Sequence, residues 1–130
     1  MKILSTRNVL TLIGSVALLE GIGFFFAAEV ITKSAFITFT GSDAIRVGTL
    51  MHEALAGVML CIGTILLFSR NAEISSAKKI LNGVGVGYII FFGIAMKHFI
   101  GGEAQPPIPA LVLLVILAAL ALITANRKSA

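Results

Sequence analysis

What chemistry this 130-residue chain can perform rests on two histidines and six acids set among very apolar neighbours. Glu20 lies in the middle of VLTLIGSVALLEGIGFFFAAEVI. His52 and Glu53 stand side by side near the start of RVGTLMHEALAGVMLCIGTILLFSR. Lys97 and His98 close a third apolar run, and Glu103 follows in GGEAQPPIP. A carboxyl in an apolar segment is costly when charged, so Glu20 is expected to face other helices, to be hydrogen-bonded, or to exchange a proton as part of a transport cycle. Histidines can ligate metal or haem, or hydrogen-bond the head group of a lipophilic ligand. The lone Cys61 has no disulfide partner and reads as a small packing residue.

These residues must be held by membrane-spanning helices. The chain is 58% hydrophobic and 12% charged, with a mean hydropathy of +1.04. A water-soluble domain of this length cannot hide so much apolar surface. Four apolar runs, 9–31, 47–68, 80–100 and 108–125, approach or exceed the ~20 residues that cross a bilayer as helix. Each must be helical, because unpaired backbone groups are too costly in hydrocarbon. The fold class expected is all-α, an integral membrane four-helix bundle forming one transmembrane domain over 1–130. The first run is longer than the apolar part of a signal peptide and carries Glu20, so it reads as a retained helix.

Seven of the ten Lys and Arg residues fall at the N-terminus (Lys2, Arg7), between the second and third runs (Arg70, Lys78, Lys79) and in the tail (Arg127, Lys128). Lys33, Arg46 and Lys97 lie on the other side. The positive-inside rule then places both termini in the cytoplasm. The basic balance implies contact with anionic lipid, not nucleic acid.

Small residues suggest how the helices meet. Gly14, Ala17, Gly21 and Ala28 make one stripe on the first helix; Gly57 and Gly63 sit on the second, and Gly83 and Gly87 on the third. On the second helix Arg46, Thr49, Glu53, Gly57 and Thr64 fall within about 80° of one another, with Ala56 and Gly63 just beside them, so this polar and small face is expected to look inward, with His52 at its edge. Ser42 or Asp43, and Ser75 or Ser76, are the expected caps of helices two and three. Phe36, Ile37 and Phe39 are expected at the membrane interface. Gly101 and Gly102 end the third helix; Pro106, Pro107 and Pro109 start the fourth. The fourth has only Thr124 as a polar side chain and is assigned no chemistry.

Antiparallel pairing of helices two and three would gather Arg46, His52, Glu53, Lys97, His98 and Glu103, with Glu29, into an outer polar vestibule. Three uses compete for it. Glu53 can pair with Lys97 or Arg46 as plain interfacial structure; His52 and His98 can bind haem or metal; or a quinone-like head group can bind there, its tail among Phe24, Phe25 and Phe26.

The segment HEALAGVMLCIGTILLFSR, through Glu53, Gly57, Leu60, Gly63 and Arg70, resembles the second helix of DoxX-like four-helix membrane proteins. The order of elements is similar too. The first helix lacks the Lys that commonly follows its glycine, and the basic residue after the second comes about three positions late. The resemblance implies a bacterial inner-membrane protein, in some cases a subunit of quinone- or sulfur-linked redox complexes, and a site role for Glu53. In its Glu20 alone the chain is also similar to small multidrug transporters.

The leading expectation is an accessory or structural subunit of a larger, quinone- or redox-linked membrane complex, without intrinsic catalysis, meeting other membrane subunits or copies of itself. A proton-coupled exporter of lipophilic or cationic compounds using Glu20 is the alternative. A haem or metal protein using His52 and His98 is the third. The cofactor stays open, with a quinone or other lipophilic ligand preferred to haem.

Overall fold

A computed structural model describes residues 5–35 and 41–127. Four helices account for nearly all of them: α1 (Thr6–Ala35), α2 (Ser42–Phe68), α3 (Ile74–Ile100) and α4 (Ile108–Asn126). All four are long and apolar enough to cross a membrane. Lys2, Phe36, Ile37, Phe39 and Lys128 lie outside the described residues.

The helices outrun the apolar runs. Polar residues of the TKS and ISSAKK segments continue α1 and begin α3, because an apolar run marks where hydrocarbon is tolerated, not where backbone hydrogen bonding stops. The expected caps therefore move. Gly41 precedes α2 and Glu73 precedes α3, neither with a side-chain cap bond, so Ser42, Asp43, Ser75 and Ser76 lie inside the helices. A short 3-10 turn, Ser69–Asn71, joins α2 to α3.

The end of α3 has a defined physical cause. Gly102 takes a left-handed φ of +70°, Glu103 N–H donates to His98 O at 3.0 Å and Gly102 N–H to Phe99 O at 3.1 Å. This is a Schellman closure, in which glycine escapes the Cβ clash and the last carbonyls are satisfied. The side chains of the same two residues, His98 and Glu103, pair through Nδ1 and Oε2 where an apolar contact is more usual. Pro107 then precedes α4, and Pro109 sits in its first turn, where no amide donor is needed.

The helices pack as two hairpins, α1 with α2 and α3 with α4, joined mainly through α1. α2 does not pack along α3. The shared core gathers at the end carrying the termini, where Val9, Leu10 and Ile13 of α1 meet Leu66 of α2, Leu81 of α3 and Leu117 of α4. At the opposite end Gln105 N–H donates to Ala35 O at 2.9 Å, tying the α3–α4 connection to the end of α1.

The α1–α2 seam brings backbone against backbone, with Leu60 packed on Gly21 and Leu18 on Gly63. A Cβ on Gly63 would stand 2.8 Å from Gly14 O, and one on Gly21 would stand 3.1 Å from Ala56 O. Gly14, Gly21 and Ala28 recur every seven residues and are buried, as is Ala17. They oppose Gly63, Ala56 and Gly48, the small buried residues of α2.

Two expectations about faces are corrected. The inward face of α2 is its small face, Gly48, Ala56 and Gly63; Arg46, Gly57 and Thr64 are exposed and only Thr49 and Glu53 are half-buried. Residue size decides this contact, because helix axes that close exclude long polar side chains. On α3, Gly83 and Gly87 meet no neighbouring atom, as does Gly57 on α2; Gly85 is the glycine that does, receiving Leu122 of α4. Cys61 is exposed rather than packed.

Candidate functional site

Glu20 follows Val9, Ile13 and Val16 along one face of α1, at steps of four, three and four. The first three belong to the core or pack on it. Glu20, half-buried, is the next residue outward on that face. Beyond it the packing loosens, since Gly23 has no neighbouring atom. Across from α1, Tyr88 of α3 is also half-buried and lies within electrostatic reach of Glu20. The core thus stops at an acid and a phenol.

Tyr88 also borders an apolar groove between α3 and α4. The groove holds about 280 Å³ and is lined by Tyr88, Ile89, Phe92, Leu114, Val115, Ala118, Ala119 and Leu122. Its cause is the packing of this hairpin. α4 presents a broad aliphatic wall, and where Leu122 fills the notch at Gly85 the flanking surface is left unfilled. Tyr88 thus contributes apolar surface to a wholly apolar hollow and lies within electrostatic reach of the Glu20 carboxyl.

No protein-family model, curated protein or solved structure matches this chain. What the site can do is therefore argued from its own geometry.

The expected outer vestibule divides into separate parts. His52 belongs to the α1–α2 seam. Thr32, buried, donates its hydroxyl hydrogen to Ala28 O at 2.8 Å, so its oxygen accepts in the 3.0 Å contact with His52 Nδ1. Gly48 O, which can only accept, lies 2.8 Å from the same nitrogen. Nδ1 therefore carries a proton and donates to both. Phe24 stacks on the imidazole with centroids 6.0 Å apart. Phe25 and Phe26 make an edge-to-face pair and are exposed.

His98 is held instead by Glu103 at the end of α3. The two histidines sit on different hairpins with different partners. No three His, Cys, Asp or Glu side chains converge among the described residues. Lys33 pairs with Glu29. Glu53 pairs with neither Lys97 nor Arg46: the ion pairs among the described residues are Lys33–Glu29 and His98–Glu103. The gathering expected from an α2–α3 contact fails because that contact is not made.

Tyr88, Thr32, Gly48 and Gly85 are the residues that reading the sequence missed. Tyr88 had a usable signal: it follows Leu81 by seven residues and Gly85 by three, on the buried face of α3. Thr32 likewise extends the Gly14–Gly21–Ala28 stripe by one helical turn.

Proposed function

We propose that this protein is a multi-pass inner-membrane carrier of small lipophilic compounds, with both termini cytoplasmic and Glu20 as its proton-coupling group. The observation that supports this reading is a half-buried Glu20 within electrostatic reach of Tyr88, which lines an apolar groove. A carboxyl in such surroundings binds a proton or a cationic ligand in preference to standing alone and charged, which links occupancy to proton movement. The Tyr88 hydroxyl can donate to the carboxylate or to a ligand's polar head, while Phe92 and Leu114 provide the apolar wall. The test is transport into proteoliposomes under an imposed proton gradient, with tetraphenylphosphonium and a short-chain quinone as probes. Proton-driven movement of either, lost in Glu20→Gln and weakened in Tyr88→Phe, is the expected result. No movement of either probe by the native protein, or unchanged transport by Glu20→Gln, overturns the reading.

A second reading, an accessory subunit of a larger and redox-linked membrane complex, is favoured by the open faces at Gly57 on α2 and at Gly83 and Gly87 on α3. It is also what a DoxX-like chain would imply. Close helix approach is what such glycines permit, and among the described residues nothing packs on them. Purification in mild detergent, with mass spectrometry and an absorption spectrum on the same fraction, tests it. Co-purifying subunits or bound quinone support the reading; a lone colourless monomer counts against it.

A further inference from the structure

The geometry points to a binding site for the phosphate of an anionic phospholipid in the groove between the last turns of α1 and the first turns of α2. This groove holds about 440 Å³ and is lined by Glu29, Lys33, Ser42, Ile45, Arg46, Thr49 and Leu50. It is separate from the Glu20–Tyr88 region and does not depend on the carrier reading.

Charge selects the ligand. Lys33 and Arg46 contribute two cations against the single carboxylate of Glu29, and that carboxylate is already engaged by Lys33. Arg46 makes no ion pair among the described residues. Its guanidinium therefore has its donors available, in the planar fork that matches two phosphate oxygens. Ser42, which does not cap the helix, adds a hydroxyl at the rim. Thr49 donates its hydrogen to Ile45 O at 2.9 Å and is spent as a donor.

The apolar parts of the groove select a lipid over a free anion. Ile45 and Leu50 line it, and Leu50 continues onto an exposed apolar flank of α2 with Val47 and Met51, 57% and 69% exposed. A phosphate at Arg46 would leave its acyl chains lying along that flank. The groove also stands within two turns of the helix ends, the level at which head groups meet a spanning helix.

Native mass spectrometry of the purified full chain, offered equal amounts of phosphatidylglycerol and phosphatidylcholine, tests the site. One phosphatidylglycerol should be retained about tenfold over phosphatidylcholine, and Arg46→Gln should erase that preference. Arg46→Lys, which keeps the charge, should retain part of it and guards against a folding defect. Excess glycerol 3-phosphate should leave the lipid in place. Equal retention of the two lipids by the native protein overturns the inference, as does an unchanged preference in Arg46→Gln. So does an equal loss in Arg127→Gln at the far end of the fold, or displacement by glycerol 3-phosphate.

Discussion

The two hairpins are both antiparallel helix pairs, yet they close by opposite means. Along α1–α2 the backbones themselves touch, with Gly14 against Gly63 and Gly21 against Ala56. Along α3–α4 a leucine side chain enters a notch at Gly85, and a groove of about 280 Å³ remains beside it. Where backbone meets backbone no volume is left for a ligand and the helix spacing is fixed, and the α1–α2 groove of about 440 Å³ opens only at the helix ends beyond that contact. Side-chain contact is adjustable and leaves hollows. The tight hairpin serves as the frame, therefore, and the looser one holds the apolar groove, whose Tyr88 lies within electrostatic reach of Glu20 on α1.

The sharpest way to break this comparison is to put a methyl group at each kind of seam. In Gly63→Ala the new carbon would stand 2.8 Å from Gly14 O and 2.9 Å from Leu18 N. Neither is a flexible side chain, so the helices must part. The expected loss is about 3 kcal/mol, the upper end for overpacking, measured by denaturant unfolding in detergent. Gly14→Ala, whose nearest atom lies at 3.0 Å, should cost less, about 2 kcal/mol. A Gly63→Ala protein as stable as the native one would show that the frame is not rigid.

At the other seam, Gly85→Ala meets Leu122 Cγ at 2.6 Å, but the nearest backbone atom, Ala118 O, is 3.4 Å away. A leucine can change rotamer, so the expected cost is about 1 kcal/mol. The groove should respond more than the stability does, because the displaced Leu122 lines it. Combining Gly85→Ala with Leu122→Ala should recover most of the loss attributable to the clash, a coupling that a double-mutant cycle reads directly. Additive costs would mean that the notch and the leucine are independent.

How much of this was legible in the sequence follows the same division between backbone and side chain. The four helices could be read because hydrocarbon leaves a polar backbone no alternative to helix. The Gly14–Ala28 stripe could be read because only small residues allow close approach. The partner face of α2 is legible in part: Ala56 and Gly63 are expected inward and are buried, but polarity draws the face towards Arg46, Gly57 and Thr64, which are exposed, and away from the buried Gly48. The spacing of Gly83 and Gly87 suggested a contact, but spacing alone does not say whether the partner lies within the same chain. Glu20 declared itself by its cost in an apolar run; its neighbour Tyr88 depended on how α1 and α3 meet, which is a tertiary fact.

A smaller effect is expected at the polar lock of the tight seam. Thr32→Val keeps the shape but removes the acceptor for His52 Nδ1, while Gly48 O still accepts from it. The loss should be about 0.6 kcal/mol, typical of helix-to-helix hydrogen bonds in membranes. Nitrogen NMR of the imidazole should still report the proton on Nδ1. A switch to the Nε2 tautomer in the variant would show that Thr32, rather than Gly48 O, assigns it.

The smallest effect on folding should come from Gly87→Ala, and this makes it the most discriminating for assembly. A methyl group there meets no atom of the described residues, and alanine favours helix, so unfolding should change by no more than about 0.5 kcal/mol. A helix from another subunit or a second copy packed on that face would feel the methyl at once. Cross-linking and mass measurement of native and Gly87→Ala proteins in lipid nanodiscs separate the two situations. An assembly present in the native protein and lost in the variant, with folding intact, would place a partner on α3 and favour the subunit reading. An assembly that survives Gly87→Ala would remove this face from the interface, leaving the glycines at positions 83 and 87 no part in it.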